Sequence, residues 1–188
     1  MNVTFGYPVF LDLGDVPVLL VGGGQIASRK AAGLLAAGAR LTVVAPVVRP
    51  ELAAQVSAVW LRPFADDDCA GFRLVMTATD DPQVNARVAA SATALGVWVN
   101  SADDPSNCSF ILPAVTRRGP VVAAVSTGGA SPALASHLRS VIAEQVLTEQ
   151  VEQAARELSR QRDEIHAAGG STEDVDWTDR LQAALGRD

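Results

Sequence analysis

The chain has 188 residues, of which 48% are hydrophobic and 19% are charged. This composition excludes a disordered tail and is sufficient for a buried core, so one folded domain with an appendage is expected. Its 15 basic and 21 acidic residues give a net charge of -6, which argues against broad binding to nucleic acid or to an anionic membrane surface.

Cysteine and histidine are too sparse to form a structural framework. The two cysteines, Cys69 and Cys108, are far apart, which argues against a disulfide scaffold or a zinc site and fits a reducing cytoplasm. His137 and His166 are isolated, so no metal site is expected. The first residues lack the basic and apolar regions of a signal peptide, and no apolar run is long enough to span a membrane. A soluble, cytoplasmic protein is therefore predicted.

Apolar runs separated by helical patterns predict an α/β fold with a doubly wound parallel sheet. The predicted strands are residues 16–22, 40–45, 59–64, 74–79 and 97–100. Gly38 is expected to end the first helix, and Asp81 with Pro82 to begin the crossover helix after the fourth strand. Residues 110–115 and 121–125 then predict a hairpin, and helices are expected from 132 to about 146, over 148–168 and over 173–185.

The first strand runs into Gly22, Gly23 and Gly24, which form a G-x-G-x-x-A pattern ending at Ala27. This strand, turn and helix is the context in which glycines allow a dinucleotide pyrophosphate to approach a helix N-terminus. The alternative is a purely structural turn. Replacing Gly22 and Gly24 with larger residues is expected to abolish NAD binding without unfolding the sheet.

The second strand does not supply the acidic residue that commonly binds the ribose of NAD. Arg49 raises the possibility of a 2′-phosphate, although a lone arginine after a strand is more often a solvated charge. The residues therefore leave NAD and NADP open. Thr79, at the end of the fourth strand, is a further candidate for cofactor binding.

Two polar loops lie where a substrate is expected. Asp103 and Asp104 follow the fifth strand at the carboxyl edge of the sheet, although both, and Asp104 in particular, are also typical of a turn before proline. Residues 126–132 offer hydroxyls and glycine N–H groups before a helix that Ser131 caps, which suits an anion or a simple helix cap. Arg117, Arg118 and Arg139 are candidates for binding carboxylates, although a basic pair at a hairpin tip is usually solvated.

Four segments in this order, VGGGQIASRKAAGLLAAGARLTVVAP, TATDDPQVN, NSADDPSNCSFILPAV and AVSTGGASPALA, closely resemble the precorrin-2 dehydrogenase family, which includes the N-terminal half of siroheme synthases. The resemblance covers about residues 7–146. It implies NAD-dependent oxidation of precorrin-2 to sirohydrochlorin by a homodimer, and in several relatives insertion of Fe²⁺ as a further substrate. A methyltransferase half is not expected within 188 residues.

The resemblance also implies roles for particular residues. The family's N-x-x-D-x-P pattern places the catalytic aspartate on Asp103. The implied dinucleotide contacts are Gly22, Gly23, Gly24, Gln25, Ile26, Ala45, Pro46 and Val47. The implied substrate contacts are Asn100, Ser126, Thr127, Gly128, Gly129 and Ser131.

These inferences predict three parts: an NAD-binding Rossmann domain at 1–112, a dimerising and substrate-binding segment at 113–146 and a helical cap at 147–188. The alternative from another class is a dimeric dinucleotide sensor that catalyses no reaction, which a shared fold does not exclude. A second polar site beside the expected nicotinamide favours the enzyme.

Overall fold

The computed structural model describes residues 6–102 and 104–186. Five parallel strands form one sheet in the order β3-β2-β1-β4-β5, and a separate antiparallel hairpin pairs β6 with β7. The strands are β1 Pro17–Val21, β2 Arg40–Val44, β3 Ala58–Trp60, β4 Leu74–Thr77, β5 Trp98–Asn100, β6 Ala114–Arg118 and β7 Val121–Val125. The α-helices are α1 Gln25–Ala36, α2 Pro50–Ala53, α3 Pro82–Ala94, α4 Pro132–Val141, α5 Glu149–Ala167 and α6 Thr178–Ala184.

The sheet is buried on both faces, as a parallel sheet requires. Residues alternate along β1, so that Val18 and Leu20 pack against α1 whereas Leu19 and Val21 face α3. The chain moves outward from β1 to β2 and β3, then crosses back to β4, which pairs with the other side of β1. The order therefore reverses between β1 and β4, and ligands bind at the carboxyl ends of strands at such a point. The α/β, doubly wound fold is confirmed.

Local signals placed several helix ends correctly. The Asp81 carboxylate accepts hydrogen bonds from the backbone N–H groups of Gln83 and Val84, as expected for the cap of α3. The Ser131 hydroxyl accepts a bond from the N–H of Leu134 at the start of α4. Gly38 follows α1 with a φ of +80°, a conformation that glycine adopts without strain.

Two predicted strand boundaries were clearly wrong. Strand β3 ends at Trp60 rather than near residue 64, because Arg62 turns away to pair with Asp68. The first hairpin strand begins at Ala114 rather than 110, because Phe110 packs into the core of the sheet. The helix predicted from 132 to about 146 is confirmed in its extent, since α4 ends at Val141 and continues as a π-helical turn over Ile142–Val146.

The chain divides into two compact units, with the boundary between Leu112 and Pro113. The first unit holds the five-stranded sheet with α1 to α3, and the second holds the hairpin with α4 to α6. Across the described residues, no helix combines the length and the apolar character needed to cross a membrane. The predicted separation of a dimerising segment from a C-terminal cap near residue 147 stays a prediction.

Candidate functional site

The glycine turn after β1 is closely packed at its first two positions. Gly22 has a φ of +124°, and a Cβ atom there would lie 2.4 Å from the carbonyl oxygen of Ala78. A Cβ atom on Gly23 would lie 2.1 Å from the carbonyl oxygen of Val47. Both glycines are therefore needed for the backbone itself. The expectation that Gly22 tolerates a larger residue without disturbing the sheet was wrong.

Gly24 differs from its two neighbours. It is exposed, and a Cβ atom added to it would meet no protein atom within 4 Å. It caps a helix of 12 residues whose first turn carries no acidic side chain. The open approach, the unpaired first-turn N–H groups and the positive end of the helix dipole all suit a dinucleotide pyrophosphate. The residues present therefore fit the cofactor that the sequence predicted, with Gln25 and Ile26 in the first turn of α1.

The loop after β2 lies against the glycine turn. The backbone N–H of Arg49 donates to the carbonyl oxygen of Gly23 at 3.0 Å. Ala45 is buried, whereas Pro46 and Val47 are exposed. The Arg49 guanidinium lies 3.5 Å from the Glu51 carboxylate, so this cation already has an acidic partner.

Thr79 is held by a buried asparagine that sequence reasoning missed. The Thr79 hydroxyl donates to Asn85 Oδ1 at 2.8 Å, and Asn85 Nδ2 donates back to the Thr79 carbonyl oxygen at 3.1 Å. Asn85 is on α3 and is 6% exposed. The loop after β4 therefore enters the carboxyl edge in a fixed conformation.

A polar network lies where β4 and β5 end. Lys30 of α1 donates through Nζ to the carbonyl oxygen of Thr77 at 2.8 Å and to Asn100 Oδ1 at 2.9 Å. Asn100 Nδ2 in turn donates to the carbonyl oxygen of Phe110 at 3.0 Å. The oxygen and the nitrogen of the Asn100 amide are therefore both hydrogen-bonded within the chain, and the side chain links the end of β5 to α1 and to Phe110. Its direct contact with substrate stays a prediction.

The loop after β5 is anchored through Thr77 and Cys108. The N–H of Ala102 donates to Thr77 Oγ1 at 2.8 Å, and the N–H of Ser101 donates to Cys108 Sγ at 3.1 Å. The Cys108 thiol also lies 3.3 Å from the carbonyl oxygen of Asp104. Burial raises the pKa of Cys108, so the group remains a neutral thiol near pH 7 and serves as a hydrogen-bonding group of the loop.

The loop after β5 carries two aspartates. Asp103, the predicted catalytic residue, lies outside the described residues. The Asp104 carboxylate accepts bonds from Asn107 Nδ2 at 2.6 Å and from the Ser106 hydroxyl at 2.7 Å. These bonds, Asn107 first, lower the pKa of Asp104. The expectation that Asp104 organises the turn before Pro105 is confirmed.

In the second unit, the hydroxyls predicted to meet the substrate bind the backbone of their own loop. Ser126 Oγ accepts from the N–H of Gly128 at 3.1 Å, and Thr127 Oγ1 accepts from the N–H of Ser131 at 2.9 Å. Gly128 and Gly129 have φ values of +61° and +89° and open space around them. The loop is therefore held in shape by its hydroxyls while its glycine backbone remains accessible.

The three candidate arginines are in different situations. Arg118 lies 3.6 Å from the carboxylate of Glu152 on α5, which also binds Arg156 at 2.9 Å. Arg117 is an exposed residue of β6, and Arg139 is half-buried in the last turn of α4. Arg118 is the one of the three that forms an ion pair within the described part of the chain. Their roles toward a substrate stay predictions.

Comparison with known proteins gives consistent matches. Residues 9–114 match the family described as "Putative NAD(P)-binding". Siroheme synthases from Ectopseudomonas mendocina and Methylococcus capsulatus are 48% and 50% identical over 137 and 139 residues. Each match covers 72% of this chain, but only 30% and 29% of the respective relative. The chain thus spans less than a third of the length of these siroheme synthases.

A solved structure matches nearly the whole chain. The structure of SirC, precorrin-2 dehydrogenase, is 30% identical and superposes with a TM-score of 0.72. The match covers 96% of this chain and 88% of that protein. The chain therefore belongs to the NAD(P)-binding family that includes precorrin-2 dehydrogenase and the matching part of the siroheme synthases.

Proposed function

We propose that the protein oxidises precorrin-2 to sirohydrochlorin with NAD as the electron acceptor. The observation that carries this proposal is the likeness to precorrin-2 dehydrogenase over 96% of the chain, at 30% identity and a TM-score of 0.72. The open glycine turn and the polar strand ends beside it are the features such a reaction needs. A Rossmann fold alone would not indicate a substrate.

NAD, when bound, accepts a hydride from the substrate. The exposed Gly24, the first-turn N–H groups of α1 and the loop at Val47 would hold the dinucleotide. Thr79, fixed by Asn85, would line the same edge of the sheet. Because these groups are set by backbone packing, little rearrangement is required for the cofactor to bind.

The test of this cofactor site is Gly24→Ala. The added methyl group enters open space at a φ of -88°, so the fold is retained while the approach of the pyrophosphate is blocked. We expect the Kd for NAD to rise about 10-fold or more. Gly33→Ala is the matched control, since Gly33 is in the same helix and also has open space around it. Equal NAD affinity in the two variants would place the cofactor elsewhere.

Asp103 is proposed to accept the proton that the macrocycle loses as it is oxidised. Its neighbours Ser101 and Ala102 are anchored to Cys108 and Thr77, so the loop begins from a fixed point. Asp104 is already engaged by Ser106 and Asn107. These bonds support Asp104 as a structural residue, and the N-x-x-D-x-P pattern supports Asp103 as the base.

The carboxylates of the tetrapyrrole require local donors, since the protein carries a net charge of -6. The N–H of Gly129 suits this role, whereas the N–H of Gly128 donates to Ser126 within the loop. The hydroxyls of Ser126, Thr127 and Ser131 shape the loop. Arg117 and Arg139 are proposed as cationic partners. Arg118 is a weaker candidate because Glu152 neutralises it.

The decisive experiment mixes the protein, NAD and precorrin-2 and follows NADH absorbance. Turnover that depends on all three components is expected. Binding of NAD without turnover would contradict the proposal and favour the dinucleotide sensor. Insertion of Fe²⁺ into sirohydrochlorin is a separate proposal, tested anaerobically by the spectrum of the metallated product with purified sirohydrochlorin.

A homodimer working in the cytoplasm is also proposed. The hairpin β6-β7 is a two-stranded sheet, which is marginal by itself, and Val115, Leu134, Leu138 and Val146 are all more than a third exposed. Two copies of the chain would cover these side chains. Both cysteines are free, which fits a reducing compartment. Sedimentation showing only monomers at micromolar concentration would contradict the dimer.

A further inference from the structure

Lys30 stands at a position of α1 where an apolar residue is expected. Ala27, Ala31 and Leu34 are the buried residues of this helix, and Lys30 falls among them at the spacing of a core-facing stripe. Placing a charged group there costs free energy unless its donors are satisfied. The lysine is partly buried, and its ammonium group reaches the carboxyl edge of the sheet.

Two acceptors of Lys30 lie where the pairing of β4 with β5 ends. The last register pair between β4 and β5 is Met76 with Asn100, so Thr77 is the first residue of β4 beyond that pairing. Lys30 donates to the carbonyl oxygen of Thr77 and to the side chain of Asn100. One side chain on α1 therefore joins the ends of two strands after their own hydrogen bonds have stopped.

The joined strand ends also set the start of the loop after β5. Thr77 Oγ1 accepts from the N–H of Ala102, and Asn100 binds the carbonyl oxygen of Phe110 on the returning chain. The loop therefore begins at Ala102, which binds Thr77, and returns at Phe110, which binds Asn100. Lys30 contacts both Thr77 and Asn100. The glycine turn precedes the same helix, and its own backbone bonds run to the β2 side, from the N–H of Gly22 to Val44 and from the N–H of Arg49 to Gly23.

We propose that Lys30 is a positioning residue of the dehydrogenase site, which fixes the ends of β4 and β5 and thereby the loop that carries the proposed base. This inference rests on the proposed function for its kinetic consequence, but its structural consequence does not require turnover. Lys30 acts through Asn100 and Thr77, whereas NAD binds at the glycine turn.

The kinetic test compares Lys30→Met with Arg29→Met, which removes one positive charge from an exposed neighbour on the same helix. We expect Lys30→Met to lower kcat about 10-fold to 100-fold, with the Kd for NAD changed less than about twofold. Arg29→Met should retain the wild-type kcat. Lys30→Arg should restore part of the lost activity, since it keeps a cationic donor. A wild-type kcat in folded Lys30→Met overturns the inference, as does an equal loss in Arg29→Met.

The second readout is hydrogen exchange of the Ser101 and Ala102 amides, measured without substrate. Lys30→Met should increase their exchange about 10-fold or more relative to amides in the centre of β1, whereas Arg29→Met should not. If Lys30→Met does not fold, Lys30→Gln replaces it in both measurements. Unchanged exchange at these two amides overturns the inference even if kcat falls.

A double variant separates positioning from general destabilisation. If Lys30 acts through Asn100, then Lys30→Met combined with Asn100→Leu should lose no more activity than the worse single variant, because the two residues form one unit. Fully multiplicative losses contradict that route. Altered exchange in a protein that never oxidises precorrin-2 would overturn the proposed function while supporting the positioning role of Lys30.

Discussion

The two compact units bury their hydrophobic residues to very different extents. Among the described residues, the buried hydrophobic side chains of the second unit are only Ala135, Leu147 and Ala154, whereas the first unit buries both faces of its sheet. The first unit therefore has a complete core and a polar carboxyl edge whose side chains are held by hydrogen bonds. The second unit exposes apolar side chains that a monomer would leave in water. We therefore expect the first unit to be stable by itself and the second to depend on the proposed dimer.

The largest expected effect tests that dependence. Leu138 is 39% exposed on α4, and Leu138→Glu would place a carboxylate in the proposed dimer contact. Because burying an unpaired charge costs several kcal/mol, the dimer Kd should rise by about 10³-fold or more. Sedimentation at micromolar concentration measures this. Ser136→Glu, at an exposed position of the same helix, is the control and should remain dimeric.

A dimeric Leu138→Glu variant, or equal dissociation of both variants, would show that this face of α4 is not the contact. In either case the apolar side chains of the second unit would need another partner.

The next effect concerns the loop after β5, at the carboxyl edge of the sheet in the first unit. Asp103→Ala should lower the turnover of precorrin-2 about 10²-fold or more, since a positioned acid–base group contributes on this scale. NAD affinity should not change. Asp104→Ala is the matched neighbour and should lose much less, because its carboxylate binds Ser106 and Asn107. The opposite ranking would shift the proposed base by one residue.

Sequence reasoning predicted the parts of this site that are local. The strand, glycine turn and helix around Gly24, and the caps at Asp81 and Ser131, depend on residues within a few positions of each other. The roles of Lys30 and Asn85 were missed. Lys30 reaches acceptors 47 and 70 positions away, and no local pattern specifies such contacts. The one available signal was a lysine in a core-facing stripe.

The end of β3 was predicted wrongly for the same reason, a contact that no strand pattern specifies. Residues 59–64 read as one apolar strand, but Arg62 binds the Asp68 carboxylate through both of its terminal nitrogens, at 2.6 and 2.7 Å. The N–H of Ala65 adds a third bond to that carboxylate. A buried carboxylate with three donors outweighs strand propensity, and sequence periodicity does not reveal it.

Asp68 predicts an effect on stability that is confined to the first unit. Its side chain is almost buried, and Asp68→Asn should lower the free energy of unfolding by about 2 kcal/mol, as expected for hydrogen bonds to a charged group. Urea denaturation followed by Trp fluorescence measures the change. Asp67→Asn, exposed in the same turn, should cost far less.

The same pair predicts a pH dependence. The bond from Arg62 lowers the pKa of Asp68 below its ordinary value of 3.8. The pair therefore contributes fully above that value, and its contribution is lost as the pH falls through the lowered pKa of the folded state. The stability difference between wild type and Asp68→Asn should accordingly shrink below about pH 4. A difference that stays constant into that range would mean that the charge of Asp68 is not what stabilises the turn.

The smallest expected effect distinguishes the two arginines of the hairpin. Arg117→Gln should raise the KM for precorrin-2 about fivefold, equivalent to about 1 kcal/mol for one exposed ion pair, if Arg117 meets a substrate carboxylate. Arg118→Gln should change KM less than about twofold, because its charge is already paired with Glu152 and Glu152 keeps Arg156 when Arg118 is lost. Steady-state kinetics at saturating NAD measure both. A larger effect at Arg118 would mean that the substrate displaces Glu152 and binds Arg118, a residue that the fold of the second unit holds in an ion pair when the substrate is absent.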